Sequence, residues 1–180
     1  MFQRQELAKA LKHIAIGYLF IHVHLTIVTV DILPNWVGWI LFLGAFGALA
    51  QITPEVEKLR TLGMILGFWA VVCWIINIFN PYGTVFLIVG VVFSVLNLYF
   101  QFKFLTHISD VAGYFGCGTE REKLLTIRNV LTVLGAILAI PIWHQVPVLA
   151  FLLALVCIIV IIWLIFVLFS VKRVIEDTTL

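Results

Sequence analysis

Charged residues are scarce in this chain, and their scarcity excludes most soluble folds. Asp, Glu, Lys and Arg make up 11% of the 180 residues, whereas hydrophobic residues make up 63%. Soluble domains usually carry about 25% charged and about 45–50% apolar residues. A water-soluble globule of this composition would have too few polar side chains to cover its core. The composition therefore predicts a membrane protein.

Catalytic and cofactor motifs are also missing. The chain has three serines and three cysteines, and none of them stands in a nucleophile elbow or a C-x-x-C pair. It contains no H-E-x-x-H, Walker A or GxGxxG motif. Its basic residues form no run or stripe of the kind that binds nucleic acid. We therefore predict a protein that is not an enzyme, with no cofactor, no metal site and no nucleic-acid partner.

The basic residues follow a regular order along the chain. All eleven Lys and Arg residues fall in alternate connections between the apolar stretches. Because Lys and Arg concentrate in short cytoplasmic loops, this alternation predicts that the basic connections and both termini are cytoplasmic. The opposite connections carry no Lys or Arg and contain Pro and Asn, which favour tight turns.

The apolar stretches themselves predict the fold class. A transmembrane helix needs about 20 consecutive, mainly apolar residues. We predict an all-α, polytopic integral membrane protein, a single transmembrane domain (residues 1–180) of six helices arranged as three hairpins. The predicted spans are, approximately, residues 13–31, 36–51, 61–79, 82–102, 128–143 and 147–170.

Residues 103–127 are predicted to form a cytoplasmic amphipathic connection between the fourth and fifth spans. Phe104, Ile108 and Val111 recur there at helical spacing among polar residues, which indicates that the fourth helix continues beyond the membrane. Two interpretations are open. The favoured one is a helix end that packs on its neighbours, and the other is a segment that lies on the inner interface or docks a partner.

The candidate binding site consists of polar residues near the uncharged surface. Its predicted members are Asp31, His22, His24, Asn77, Asn80 and His144. Ionisable groups inside a membrane are the first candidates for function. On a helix, His22 and His24 would point about 200° apart, so they would not share a metal ion. The alternative is that Asp31 and Asn80 cap turns, as these residue types often do.

Two further patterns concern contacts between helices. Ser94, Asn97 and Gln101 form a polar stripe, which favours hydrogen bonds between helices over a transport path. Small residues at Gly63/Gly67 and Gly44/Ala48 permit close helix approach. Either small pair would serve internal packing, self-association or another membrane protein.

The first predicted turn carries a resemblance to known proteins. Residues 31–41 read D-I-L-P-N-W-V-G-W-I-L. This stretch resembles the D-I-L-P-x-x-x-G-x-I-L hairpin of small multi-pass membrane proteins of Gram-positive bacteria, whose function is unassigned. The resemblance covers two of the six predicted helices. It implies a bacterial plasma-membrane protein and carries over no catalytic residue. In size and helix count the chain is also similar to the substrate-binding subunits of energy-coupling-factor vitamin transporters.

These observations support two hypotheses about function. The first is a small bacterial membrane protein that binds a small molecule or lipid in an outward-facing polar and aromatic pocket, for example as a transporter subunit. The alternative is a non-catalytic accessory protein whose helices pack on a larger membrane complex. Membrane lipids are the expected partners in both cases.

Overall fold

The computed structural model describes residues 2–22, 26–27, 30–31, 34–79, 86–140 and 146–177. Within these ranges the chain is helical apart from one short pair of strands. The elements are α1 (Phe2–His22), β1 (Thr26–Ile27), β2 (Val30–Asp31), α2 (Asn35–Ala50), α3 (Arg60–Phe79), α4 (Phe86–Tyr114), α5 (Gly118–Leu138) and α6 (Pro147–Asp177). A 3-10 helix, Pro54–Leu59, leads into α3.

Three helical segments of the described chain are long and apolar enough to cross a membrane. They are Pro54–Ile76, Val89–Tyr114 and Phe151–Asp177. Helix α2 is equally apolar but shorter, at 16 residues. The described part of the chain is therefore compatible with a membrane protein, as the composition predicts.

The beginning of the chain differs most from the prediction. The sequence predicts a helix over residues 13–31, whereas α1 begins at Phe2 and ends at His22. Beyond it, Thr26–Ile27 pairs antiparallel with Val30–Asp31. The helical prediction is wrong for these four residues. β-branched side chains are stiff at χ1 and favour strands, and they dominate residues 26–30.

The connection between α4 and α5 packs against the rest of the protein. Helix α4 continues to Tyr114, and the side chains of Phe104, Ile108 and Val111 are fully buried. The apolar face of this stretch is therefore covered by other parts of the protein. Gly116 ends the helix with a φ of 75°, a left-handed conformation that glycine adopts without strain. Helix α5 begins two residues later.

The core is a cluster of aromatic rings between α2 and α4. Phe42, Phe46, Phe100 and Phe104 are fully buried. The ring centroid of Phe104 lies 5.0 Å from that of Phe42, 5.5 Å from Phe46 and 5.2 Å from Phe100. This cluster lies toward the end of the bundle that carries Lys58, Lys103 and Lys172, which we call the basic end. The four rings therefore pack α2 against α4 on the side of the basic end.

Helices α1 and α2 cross at two glycines. A Cβ atom on Gly38 would lie 2.5 Å from the carbonyl oxygen of Gly17, and one on Gly17 would lie 2.6 Å from Phe42 Cε1. Neither position has room for a larger side chain. Gly38 is the glycine of the D-I-L-P-x-x-x-G pattern, so this part of the pattern has a packing role.

The predicted small-residue pairs lie in different environments. A Cβ atom on Gly63 would lie 3.2 Å from Phe100, and one on Gly67 would lie 3.1 Å from Trp39. Gly63 and Gly67 therefore serve packing within the chain. Around Gly44, in contrast, no described atom lies within 4 Å of the added Cβ. The helix face that carries Gly44 is therefore open within the described part of the chain, whereas the face that carries Gly63 and Gly67 is covered.

Candidate functional site

The structure describes the side chain of one predicted site residue, His22, which ends α1. Asp31 lies in β2 and Asn77 in α3, but their side chains are outside the described part. His24, Asn80 and His144 lie outside the described residues altogether. Asp31 lies in a strand, not in the helix that the sequence predicts over residues 13–31. Among the described residues, no group of three or more His, Cys, Asp or Glu side chains is placed to hold a metal ion.

His22 lines a cavity between α4, α5 and α6, which we call the α4–α6 cavity. Its volume is about 270 Å³. Its polar lining residues are His22, Asn97, Gln101, Arg128 and Thr132, and the remaining walls are mainly aliphatic. The ring of Tyr18 stacks on that of His22, with centroids 6.0 Å apart. His22, a predicted site residue, thus lines the same cavity as four polar residues that the site prediction did not include.

Helical spacing explains how these groups converge. Asn97, Gln101 and Leu105 are spaced by four residues on α4, so they share one face of the helix. Arg128 and Thr132 have the same spacing on α5. A close approach of the two helices at Gly135, where an added Cβ would clash with Leu98, brings the faces together. Helix α6 contributes the aliphatic wall.

Gln101 is the most informative residue of the cavity. Only 9% of its surface is exposed, and neither its amide nitrogen nor its amide oxygen has a hydrogen-bond partner among the described residues. The same holds for the side-chain oxygen of Asn97, one helical turn away. A buried polar group without a partner costs about 1–3 kcal/mol. Such groups in a cavity wall are suited to a ligand.

Arg128 adds a positive charge near the middle of α5. Its guanidinium donates hydrogen bonds to Thr106 Oγ1 at 3.0 Å and to Asn129 Oδ1 at 3.1 and 2.9 Å. It also lies over the ring of Phe102, 4.3 Å from the centroid. The ion pairs found in the described chain are Lys58–Glu55, Arg60–Glu57 and Lys172–Glu176. None of these pairs neutralises Arg128.

A second cavity adjoins the first. This α1–α4 cavity has a volume of about 330 Å³, and its lining includes Asn35, Trp39 and Trp69. The ring of Trp69 stacks on Phe93 with centroids 4.2 Å apart. His22 and Asn97 line both cavities, so they stand at the boundary between them. This cavity corresponds most closely to the predicted polar and aromatic pocket.

The polar stripe of α4 lines cavities rather than joining helices. Ser94 donates its hydroxyl hydrogen to the Gly90 carbonyl oxygen of its own helix, at 2.9 Å. Asn97 and Gln101 make no hydrogen bond to another helix within the described chain. The favoured interpretation of the stripe, hydrogen bonding between helices, is therefore wrong for these described residues.

The three cysteines are free thiols. Cys157 lines the α4–α6 cavity and Cys73 the α1–α4 cavity. Cys117, between α4 and α5, is buried, and its burial and then the nearby Glu120 carboxylate raise the pKa of the thiol. A thiol with a raised pKa is a poor nucleophile at neutral pH, because little of it is thiolate. Cys117 is therefore a packing residue of the connection.

Sequence reasoning missed Arg128 because it counted this residue among the cytoplasmic basic residues. A signal was present: Arg128 is followed four residues later by Thr132 inside an otherwise apolar helical stretch. Comparison with known proteins found no matching family model, no similar curated protein and no similar solved structure. The argument for function therefore depends on the geometry of the α4–α6 cavity.

Proposed function

We propose that this protein binds a single-chain, anionic amphiphile in the α4–α6 cavity. The observation that carries the proposal is Arg128, a permanent cation in the cavity wall with no carboxylate partner among the described residues. Arg128 is half-buried and already donates to Thr106 and Asn129, and an anionic group in the cavity would give its charge a partner. The aliphatic walls then suit a hydrocarbon chain.

The size and the position of the cavity support the same class of ligand. Its volume of about 270 Å³ is just below the usual range of about 300–1,000 Å³ for ligand pockets. One chain or a compact head group fits this volume better than a two-chain lipid. Ile158, on the α6 wall, is 40% exposed, so the cavity reaches the apolar surface of the bundle. A ligand that dissolves in the bilayer has direct access to it.

The proposed setting is a bacterial plasma membrane crossed by six helices, with both termini and the basic end in the cytoplasm. The alternation of the eleven basic residues supports this orientation. The α1–α4 cavity, lined by Asn35, Gly90 and Ser94, lies farther from the basic end than the aromatic cluster, whereas the α4–α6 cavity reaches the level of the cluster at Gln101 and Leu105. Because the α4–α6 cavity adjoins the α1–α4 cavity at His22 and Asn97, the arrangement favours access from the outer side.

The orientation predicts opposite labelling of two exposed positions. In a variant without native cysteines, we expect an impermeant maleimide to label Val146→Cys on intact cells and to leave Gln51→Cys unlabelled. Both positions are exposed, and they lie at opposite ends of the bundle. Permeabilised cells provide the control, because both cysteines should then react. Labelling of Gln51→Cys on intact cells would contradict the orientation.

The ligand proposal predicts a selective effect of Arg128→Gln. We expect this variant to bind a dodecyl phosphodiester about 10- to 100-fold more weakly, since a hydrogen bond to a charged group contributes about 1.5–3 kcal/mol. Binding of the uncharged dodecyl glycerol ether should change little. Native mass spectrometry of protein released from nanodiscs measures both affinities.

Arg173→Gln is the matched control, because Arg173 is exposed near the end of α6. It should bind both probes as the unmodified protein does. If Arg128→Gln leaves phosphodiester binding unchanged, or the unmodified protein binds neither probe, the proposal is wrong. The accessory-protein hypothesis would then gain support, and the proteins that co-purify in mild detergent would be its test.

A further inference from the structure

We infer that the ligand of the α4–α6 cavity has a polyhydroxyl head group, which Gln101 and Asn97 recognise. This inference rests on the proposed function, because it concerns the same cavity, and it goes further by specifying the head group. Its basis is the set of buried amide atoms that have no partner in the described part of the chain: Gln101 Nε2, Gln101 Oε1 and Asn97 Oδ1. Arg128 plays no part in this step.

The three atoms impose a definite requirement on the ligand. Gln101 Nε2 is a donor and needs an acceptor, whereas Gln101 Oε1 and Asn97 Oδ1 are acceptors and need donors. A carboxylate or a phosphodiester oxygen only accepts hydrogen bonds, so an anion alone would leave both amide oxygens unpaired. A hydroxyl group donates and accepts. Two neighbouring hydroxyls would pair all three atoms.

The polar groups of the cavity thus divide into two functions. Arg128 on α5 suits an anionic group, and the amides on α4 suit hydroxyls. A phosphate diester with a glycerol head group carries both within a few bonds of each other, and its alkyl chain would extend along the aliphatic walls toward the bilayer. The structure therefore points to a single-chain phosphoglycerol lipid rather than a fatty acid.

The test compares two probes that differ only in the hydroxyls. Dodecyl phosphoglycerol and dodecyl propyl phosphate carry the same chain and the same single negative charge. We expect the full-length protein in nanodiscs to bind the phosphoglycerol about tenfold more tightly, because its hydroxyls pair the buried amide atoms. Gln101→Leu should reduce this preference to about twofold or less. Gln5→Leu, at an exposed glutamine of α1, should keep it.

Thermal unfolding of the ligand-free protein separates a binding role from a structural one. A buried amide without partners destabilises the empty protein, so Gln101→Leu should raise its melting temperature while it removes the preference. If the Gln101 amide had a structural role instead, Gln101→Leu would lower the melting temperature and leave the preference for the phosphoglycerol unchanged. That result would overturn the inference. Gln101→Met, which conserves the length of the side chain, serves the same test if the leucine variant does not fold.

The outcomes distinguish this inference from the proposed function. The head-group inference is wrong if the unmodified protein binds both probes equally tightly, or if Gln101→Leu keeps the preference. In that case, a loss of both affinities in Arg128→Gln would still support an anionic ligand. If Arg128→Gln changes neither affinity but Gln101→Leu removes the preference, the anionic part is wrong and hydroxyl recognition stands. Inorganic phosphate, which lacks a chain, should not compete with either probe.

Discussion

Replacing Phe104 with alanine is expected to lower the free energy of unfolding by about 3–5 kcal/mol, the usual cost of deleting a fully buried aromatic ring. The Phe104 side chain has no exposed surface, and it contacts the rings of Phe42, Phe46 and Phe100. The cavity left behind has little means to close, because these neighbours belong to two different helices. Titration with sodium dodecyl sulfate in mixed micelles, followed by circular dichroism, measures the change.

Phe166→Ala is the matched control for this variant. Phe166 lies on α6 and is 69% exposed, so the same substitution should change the stability by about 0.5 kcal/mol or less. Comparable losses at Phe104 and Phe166 would show that α6 packs against something in place of lipid. Such a result would support the accessory-protein hypothesis.

Gly38→Ala and Gly47→Ala are expected to change stability in opposite directions, although both residues belong to α2. At Gly38 the added Cβ would lie 2.5 Å from the Gly17 carbonyl oxygen, so α1 and α2 must separate. Overpacking of this kind costs about 1–3 kcal/mol. At Gly47 no described atom lies within 4 Å of the added Cβ. Alanine is favoured over glycine within a helix by about 0.5–1 kcal/mol, so stability should rise.

The same denaturant titration measures both glycine variants. Gly44→Ala repeats the control one turn earlier, because its surroundings are also open. A loss of stability at Gly44 or Gly47 would mean that a further chain covers this face. A neutral effect at Gly38 would contradict the close crossing of α1 and α2.

The helical class was predictable because it depends on local composition. Long apolar runs that contain few charges favour helices whatever lies beside them. One proline position was informative too: α6 begins at Pro147, where the sixth predicted span begins. The first helix was not predictable by the same reasoning. A search for apolar runs passes over the polar start of α1, where Leu7 and Leu11 are buried.

The candidate site was only partly predictable, because it depends on which helices are neighbours. His22 was selected as an ionisable residue in an apolar stretch, and it does line both cavities. Gln101 was noticed but was assigned to contacts between helices. Only the packing of α4 against α5 reveals that its amide faces a cavity without a partner. The spacing of Arg128 and Thr132 was a weak signal, because Arg128 was also one of the eleven basic residues that indicate the orientation.

The tight turn at Gly116 has a mechanical consequence. The Cys117 amide donates to the Ala112 carbonyl at 2.9 Å, so α4 and α5 are joined by a short, internally bonded corner. All polar lining residues of the α4–α6 cavity except His22 belong to this one hairpin, whereas the facing aliphatic wall belongs to α6. A sideways displacement of α6 would widen the entrance and leave the spacing of Gln101 and Arg128 unchanged. The polar groups that we propose select the ligand therefore lie on one hairpin, and the aliphatic wall that faces them lies on a separate helix.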